Sequence, residues 1–155
     1  MWPILGILAA AYAGLAGVLY FSQSNMVYYP EIGREMVATP SQAGLDYEDV
    51  ELVTADGVAL HGWFVPSALS RGTVLFLHGN AENISTHIGS VYWLPEQGYD
   101  VVMLDYRGFG RSEGVADFPQ VYDDVDAAYR WLQDYARQKQ AQGQPQPVFI
   151  LAQSI

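Results

Sequence analysis

The sequence predicts an α/β fold in which a parallel sheet with flanking helices follows one apolar N-terminal helix. Three observations lead to this prediction: an uncharged apolar run from Ile4 to Phe21, a hairpin signal at Asp56-Gly57, and three later apolar runs. The segments between these three runs have apolar residues at the spacing of a helix. At 155 residues, half of them hydrophobic and 15% charged, the chain has room for one domain with a packed core.

Charge and cysteine content narrow the classes of function. The formal net charge is −10, from 17 acidic and 7 basic residues, and such a surface repels phosphate backbones. The composition therefore disfavours nucleic acid as a partner. Cysteine is absent, which excludes disulfides, thiol catalysis and thiolate ligands but leaves the redox compartment open. Because no two histidines lie four residues apart and cysteine is absent, we expect no metal site. We also expect no cofactor.

The apolar run from Ile4 to Phe21, with the residues before it, reaches about the 20 residues that cross a bilayer. Aromatic residues flank it, as they flank membrane-spanning helices: Trp2, Tyr20, Phe21, Tyr28 and Tyr29. We predict a single transmembrane anchor over residues 1–24 and a connector over residues 25–48. A cleaved signal peptide is the alternative, since Ala11-Tyr12-Ala13 has the form of a cleavage site, although no basic residue precedes the run. A buried core helix is a third reading.

The predicted anchor also carries a stripe of small residues. Gly6, Ala10 and Gly14 recur at every fourth position, a spacing that lets a second helix approach closely and allows weak self-association. The first basic residue is Arg34, too far from the apolar run to set the membrane orientation, which stays open.

Five strand-like segments follow the connector. Residues 49–55 and 58–65 flank Asp56-Gly57 and are expected to pair as a hairpin. The apolar runs 73–77, 100–104 and 148–151 have the composition of strands that are buried on both faces of a parallel sheet.

Two segments with helical spacing separate these strands. The first is predicted to be capped by Asn83, to run along Ile84, Ile88, Val91 and Leu94, and to end at Gly98. The second is predicted to begin near Asp117 and Pro119. Its apolar face consists of Val121, Val125, Ala128, Leu132 and Tyr135. We expect most of its acidic residues to face water: Asp123, Asp124 and Asp126.

Candidate chemistry follows directly after the predicted buried strands. Residues 77–83, Leu-His-Gly-Asn-Ala-Glu-Asn, bring backbone N–H groups to a helix start, where they can receive a developing negative oxygen. Residues 105–114, Asp-Tyr-Arg-Gly-Phe-Gly-Arg-Ser-Glu-Gly, form a glycine-rich loop. Residues 150–155, Ile-Leu-Ala-Gln-Ser-Ile, place a serine on the turn after a strand, as in a nucleophile elbow.

In the stretches LFLHGNAENIS, VVMLDYRGFGRSEG and FILAQSI the chain resembles the N-terminal part of a membrane-anchored α/β-hydrolase of the serine-hydrolase type. The resemblance implies that residues 49–155 form the N-terminal half of an α/β-hydrolase domain, truncated after the nucleophile elbow. Ser154 resembles the nucleophile, and the backbone N–H groups of Asn80 and Ile155 resemble the oxyanion-hole donors. Ala152 replaces the first glycine of G-x-S-x-G and is small enough for the turn to close.

The resemblance implies hydrolysis of an ester, thioester or amide through an acyl-serine intermediate, with a small-molecule or acylated substrate at a membrane. In that family the acid and the histidine base follow the serine, so residues 1–155 would lack both and be inactive by themselves. The alternative is a non-catalytic, membrane-anchored binding or scaffold protein that uses part of the fold.

The remaining polar residues have structural explanations. His78 precedes the serine in the chain, so we expect it to brace the oxyanion loop by a local hydrogen bond rather than to act as the base. His61 and His87 are expected to be structural or solvated. For Asp105 and Arg107 a buried ion pair or a backbone-anchoring role is favoured over contact with a substrate.

Overall fold

The computed structural model describes residues 2–27, 34–117, 119–144 and 146–153. In these residues one five-stranded sheet has the order β1-β2-β4-β3-β5. The strands are β1 (Glu48–Val53), β2 (Ala59–Val65), β3 (Thr73–Leu77), β4 (Asp100–Leu104) and β5 (Val148–Ala152). The helices are α1 (Trp2–Val27), α2 (Ile88–Val91) and α3 (Val121–Ala141), with short 3-10 turns at Pro40–Ala43 and Pro95–Gln97.

The predicted α/β architecture is confirmed. β1 and β2 pair antiparallel around a turn in which Gly57 has a φ of 87° and the Thr54 N–H donates to the Val58 carbonyl at 3.0 Å. β2 pairs antiparallel with β4, while β3 pairs parallel with both β4 and β5. The ends of β3, β4 and β5 therefore lie at one edge of the sheet, here called the carboxyl edge.

The core lies on both faces of the sheet. On one face Leu75 and Leu104 pack with α3, and on the other Phe76 and Met103 pack with α2 and its neighbouring loops. Consecutive residues of β3 and β4 alternate between these faces, and both strands are buried throughout, as their apolar composition predicts. β5 differs, because side chains on both of its faces are exposed in the described part of the chain.

The predicted helix over residues 84–94 is wrong in extent, since α2 is a single turn. The Asn83 side chain does not cap it. Its Oδ1 accepts the backbone N–H of Ser85 at 2.8 Å, and its carbonyl accepts the N–H of Thr86 at 3.2 Å. These local bonds close a turn that competes with helix formation. Gly98 does end the following 3-10 turn, with a φ of 85°.

α3 forms as predicted and extends to Ala141. Its N-cap is Gln120 rather than the predicted Asp117, whose carbonyl still accepts the Val121 N–H at 3.2 Å. The apolar face is turned to the sheet, with Ala128 and Leu132 fully buried.

α1 is the one helix among the described residues that is long and apolar enough to cross a membrane. The relevant stretch is Trp2–Gln23, and none of it is buried inside the structure. A helix packed into the core would be buried, so the core-helix reading of this segment is disfavoured.

Candidate active site

The loop after β3 and the end of β5 meet at the carboxyl edge. Gln153 continues β5, donating its N–H to the Leu77 carbonyl at 2.9 Å. Between this end and the loop lies a cleft of about 180 Å³, here called the β3–β5 cleft. It is lined by Gly79, Asn80, Ala81, Glu82, His87 and Gln153. Asn80 and the residue preceding Ser154 thus line one cleft, while Ser154 and Ile155 themselves lie outside the described residues.

Glu82 contributes a backbone feature that the sequence does not signal. It has a φ of 67°, the only positive φ among the described non-glycine residues. Side chains with a Cβ rarely adopt this conformation, and such residues concentrate at functional sites, where surrounding contacts hold them. The strained residue lies in the wall of the β3–β5 cleft.

Hydrogen bonds from buried residues hold both ends of the loop after β3. His78 is fully buried, and its Nδ1 lies 2.7 Å from the Gly79 carbonyl. Since a carbonyl only accepts, Nδ1 carries the proton and donates it. The Tyr106 hydroxyl donates to the His78 carbonyl at 3.1 Å, and the Ile84 N–H donates to Asp105 Oδ1 at 2.9 Å. The bond from His78 Nδ1 to the Gly79 carbonyl confirms that His78 braces the loop, and Asp105 holds the other end through Ile84.

Asp105 is fully buried between two histidines rather than paired with Arg107. Its Oδ1 lies 3.7 Å from His78 Nε2, and its Oδ2 lies 3.5 Å from His61 Nδ1. Gly110 provides the space for this carboxylate: with a φ of +47°, a Cβ added at Gly110 would lie 2.0 Å from Asp105 Oδ2. The glycine-rich loop therefore packs against the Asp105 carboxylate. Asp105 in turn connects this loop to the loop after β3, through its contacts with His78 and the Ile84 N–H.

None of the histidines is poised as a free base. Burial lowers the pKa of His78 to about 4, so its imidazole is neutral near pH 7. Burial also acts to lower the pKa of His61, but the carboxylates of Asp105 and Asp49 outweigh it and raise that pKa above its ordinary value. His61 Nε2 lies 2.6 Å from Asp49 Oδ1, and His87 Nδ1 lies 2.9 Å from the Asn83 carbonyl. All three rings are held by structural contacts.

Arg107 forms the expected buried ion pair, but with Asp124. The Arg107 N–H and Nε donate to Asp124 at 2.9 and 2.8 Å, and Nη1 donates to Asp56 at 2.8 Å. Burial raises the pKa of Asp124, although the hydrogen bonds from Arg107 act to lower it. Hydrogen bonds from Arg107 lower the pKa of Asp56 to about 2. The expectation that most of these acidic residues of α3 face water is confirmed, because Asp123 and Asp126 are exposed, while Asp124 is the exception and is fully buried.

The family follows from a comparison with known proteins. Residues 68–155 match the family model described as serine aminopeptidase, S33. The chain belongs to this family of α/β-hydrolases. The chain is 39% identical over 136 residues to YfhR of Salmonella typhimurium, a match that covers 84% of this chain and 43% of YfhR. It is 37% identical over 122 residues to the alpha/beta hydrolase domain-containing protein WAV2 of Arabidopsis thaliana, covering 75% of this chain and 39% of WAV2.

A third relative is the Saccharomyces cerevisiae membrane protein YNL320W, 36% identical over 121 residues, with 74% of this chain and 43% of that protein covered. The chain thus spans less than half the length of these relatives.

Among solved structures, the Pyrococcus furiosus esterase Pf2001 matches with a TM-score of 0.64 at 27% identity, over 78% of this chain and 48% of that one. An alpha-beta hydrolase from Vibrio vulnificus matches at 19% identity with a TM-score of 0.56, over 77% of this chain and 51% of that one. These matches confirm the predicted partial α/β-hydrolase fold.

The described residues hold no cluster of three His, Asp or Glu side chains suited to a metal ion. Buried polar side chains, among them His78 and Asp105, hold the loop that lines the β3–β5 cleft. The sequence indicated the loop and the strand end, because both follow apolar runs. It did not indicate that Glu82 is strained or that Asp105 supports the loop, since no local pattern distinguishes a supporting carboxylate from a solvated one.

Proposed function

We propose that this hydrolase is a membrane-anchored serine hydrolase that cleaves ester, thioester or amide bonds through an acyl-enzyme at Ser154. The observation that carries the proposal is the β3–β5 cleft, which the Asn80 loop shares with Gln153. A serine one residue further along lies within reach of that loop, because one residue spans at most about 3.6 Å. A nucleophile on the turn after a strand is the arrangement that this family uses.

In the proposed reaction the Ser154 hydroxyl attacks the substrate carbonyl and loses its proton to a base, which passes that proton to the leaving group. The N–H groups of Asn80 and Ile155 are proposed to stabilise the oxyanion; loss of one such donor costs about 2.7–4 kcal/mol. Water then attacks the acyl-serine, adding its hydroxyl to the acyl group and returning a proton to Ser154.

We place the base and its acidic partner outside residues 1–155. His61, His78 and His87 are all held by other groups, and in this family both partners follow the serine. The greater length of the relatives leaves room for them. We therefore expect residues 1–155 alone to show no hydrolysis.

Membrane anchoring by α1 belongs to the same proposal. A stretch of 22 residues in helical conformation is about 33 Å long, which matches the hydrocarbon thickness of about 30 Å. Carbonate extraction of membranes tests this part: the intact protein should stay in the pellet, and a form without residues 2–27 should appear in the supernatant.

A fluorophosphonate probe tests the nucleophile on the full-length protein in native membranes. We expect labelling that Ser154→Ala abolishes, with ester hydrolysis falling by at least about 10³-fold. Ser90→Ala is the matched control, since the Ser90 hydroxyl lies at the same end of the sheet and donates to Gln153 Oε1 at 3.1 Å. Absent labelling, or labelling that survives Ser154→Ala, would overturn the proposal and favour the non-catalytic scaffold.

A further inference from the structure

Glu82 brings a carboxylate to the wall of the β3–β5 cleft. Among the described residues that line this cleft it is the one acidic residue, and none of them is a lysine or an arginine. The residue is exposed, and its φ of 67° is a conformation that glycine adopts without strain. A charged side chain therefore occupies a costly backbone position beside the proposed active site.

The turn that carries Glu82 is fixed by the residues that follow it. Asn83 Nδ2 donates to the Glu35 carbonyl at 2.8 Å, in the connector. The Ile84 N–H donates to Oδ1 of the buried Asp105 at 2.9 Å. Because both of these residues are anchored, the backbone at Glu82 has little freedom to turn away from the cleft.

The chain's own basic side chains are engaged elsewhere. None of the seven basic residues forms an ion pair with Glu82 in the described structure. Those that pair with aspartates are Arg107, Arg111, Arg130 and Arg137. The others contact carbonyl oxygens or a tyrosine ring, as Arg34 does at the Ser112 carbonyl, 3.0 Å away. The carboxylate of Glu82 is therefore available to a cation from outside the chain.

His87, in the same wall, adds a hydrogen-bond acceptor. Its Nδ1 lies 2.9 Å from the Asn83 carbonyl. Since a carbonyl only accepts, Nδ1 carries the proton, and Nε2 of the neutral ring is an acceptor. A carboxylate and an imidazole acceptor in one wall suit a ligand group with several N–H donors, and ammonium and guanidinium groups have this chemistry.

The charge of Glu82 also bears on the proposed reaction. Glu82 lies two residues beyond Asn80, so at most about 7 Å separates their Cα atoms. An unpaired carboxylate this close opposes the negative charge that builds up on the substrate oxygen. A cation on the substrate pairs with the carboxylate and removes that opposition. The net charge of −10 draws cations towards the protein as well.

We infer that Glu82 determines specificity, and that the site prefers substrates with an ammonium or guanidinium group a short alkyl chain away from the scissile carbonyl. This inference rests on the proposed function and names a feature of its substrate. The cation can lie on the acyl group or on the leaving group, and both positions present the same chemistry to Glu82.

The test compares matched esters on the full-length protein in detergent. The first pair is the nitrophenyl ester of aminohexanoate and that of heptanoate, in which a methyl group replaces the ammonium. The second pair is the butyrate esters of aminohexanol and heptanol, which moves the cation to the leaving group. Within each pair the measured quantity is the ratio of kcat/KM for the cationic ester to kcat/KM for the neutral one.

We expect a ratio above one for at least one pair, and the pair that shows it locates the cation. Glu82→Gln should lower this ratio roughly threefold to fivefold, the contribution of one partly exposed ion pair. Glutamine keeps the length of the side chain and the strained backbone, so the change reports charge and not strain. Glu82→Lys should lower the ratio further, to below one.

Glu96→Gln is the matched control, and it should leave the ratio unchanged. Glu96 is exposed and lies in the 3-10 turn before β4, at the edge of the sheet opposite the cleft. Raising the ionic strength should reduce the wild-type ratio without any substitution, because salt screens an exposed ion pair. Fluorophosphonate labelling confirms that each variant is folded.

Two failures are distinguishable. If the neutral esters are hydrolysed in a Ser154-dependent manner but the ratio is the same in the wild type and in Glu82→Gln for both pairs, the specificity inference is overturned and the proposed function stands. If no ester is hydrolysed and no labelling occurs, the proposed function falls and takes this inference with it.

Discussion

Replacing Asp124 by alanine should destabilise the fold strongly, because it leaves a buried guanidinium without its main partner. Asp124 is fully buried and accepts the N–H and Nε of Arg107 at 2.9 and 2.8 Å. Its removal leaves the backbone N–H of Arg107 unpaired and breaks the link between α3 and the loop after β4.

The magnitude follows from burial. Removing one member of a buried ion pair costs about 3–5 kcal/mol, since the remaining charge keeps its desolvation penalty. Arg107 retains Asp56, whose side chain is 43% exposed and compensates only part of the charge. We therefore expect the free energy of unfolding to fall by about 3 kcal/mol, at the lower end of that range.

Urea unfolding of the full-length protein in mild detergent, followed by tryptophan fluorescence, measures this change. The matched control is Asp126→Ala, on the same helix, where the exposed pair with Arg130 should contribute below about 1 kcal/mol. If the two variants unfold at similar urea concentrations, Asp124 does not hold α3 in place and the reasoning is refuted.

Two further changes test the bracing of the site. Gly110→Ala should lower the melting temperature more than Gly57→Ala, because both glycines have positive φ but only Gly110 lies against the Asp105 carboxylate; equal shifts would contradict the role of that carboxylate. Stability should fall as the pH drops from 6.5 to about 4, because the folded state keeps His78 neutral while the unfolded chain takes up a proton first. The two pKa values correspond to a loss of about 3 kcal/mol. Urea midpoints measured across this range should vary less in His78→Asn, and an unchanged pH dependence would count against a buried neutral ring.

The fold was largely predictable because its signals are local. Asp56-Gly57 specifies a tight turn through its own backbone preferences, and runs such as 73–77 are apolar on both faces whatever their neighbours. The helix over residues 84–94 was not predictable from apolar spacing. There the side chain of Asn83 bonds to nearby backbone, and that bond outweighs the periodicity.

The candidate site was predictable only in outline. The loop around Asn80 and the end of β5 could be named because both follow buried strands. The residues that support them could not be named from the sequence, because Asp105, His61 and His78 come from three separate segments. These residues meet only in the folded chain. The burial of Asp124 has the same origin, since its partner lies 17 residues away.

By itself the sequence determined the type of each strand, the long apolar helix and the motifs that indicate the hydrolase family. Those features depend on residues that are neighbours along the chain. The tertiary structure alone decided which charges are buried and where the connector is fastened. A buried carboxylate is stable only when distant elements bring donors to it, and Arg34 reaches Ser112 only across 78 residues of chain.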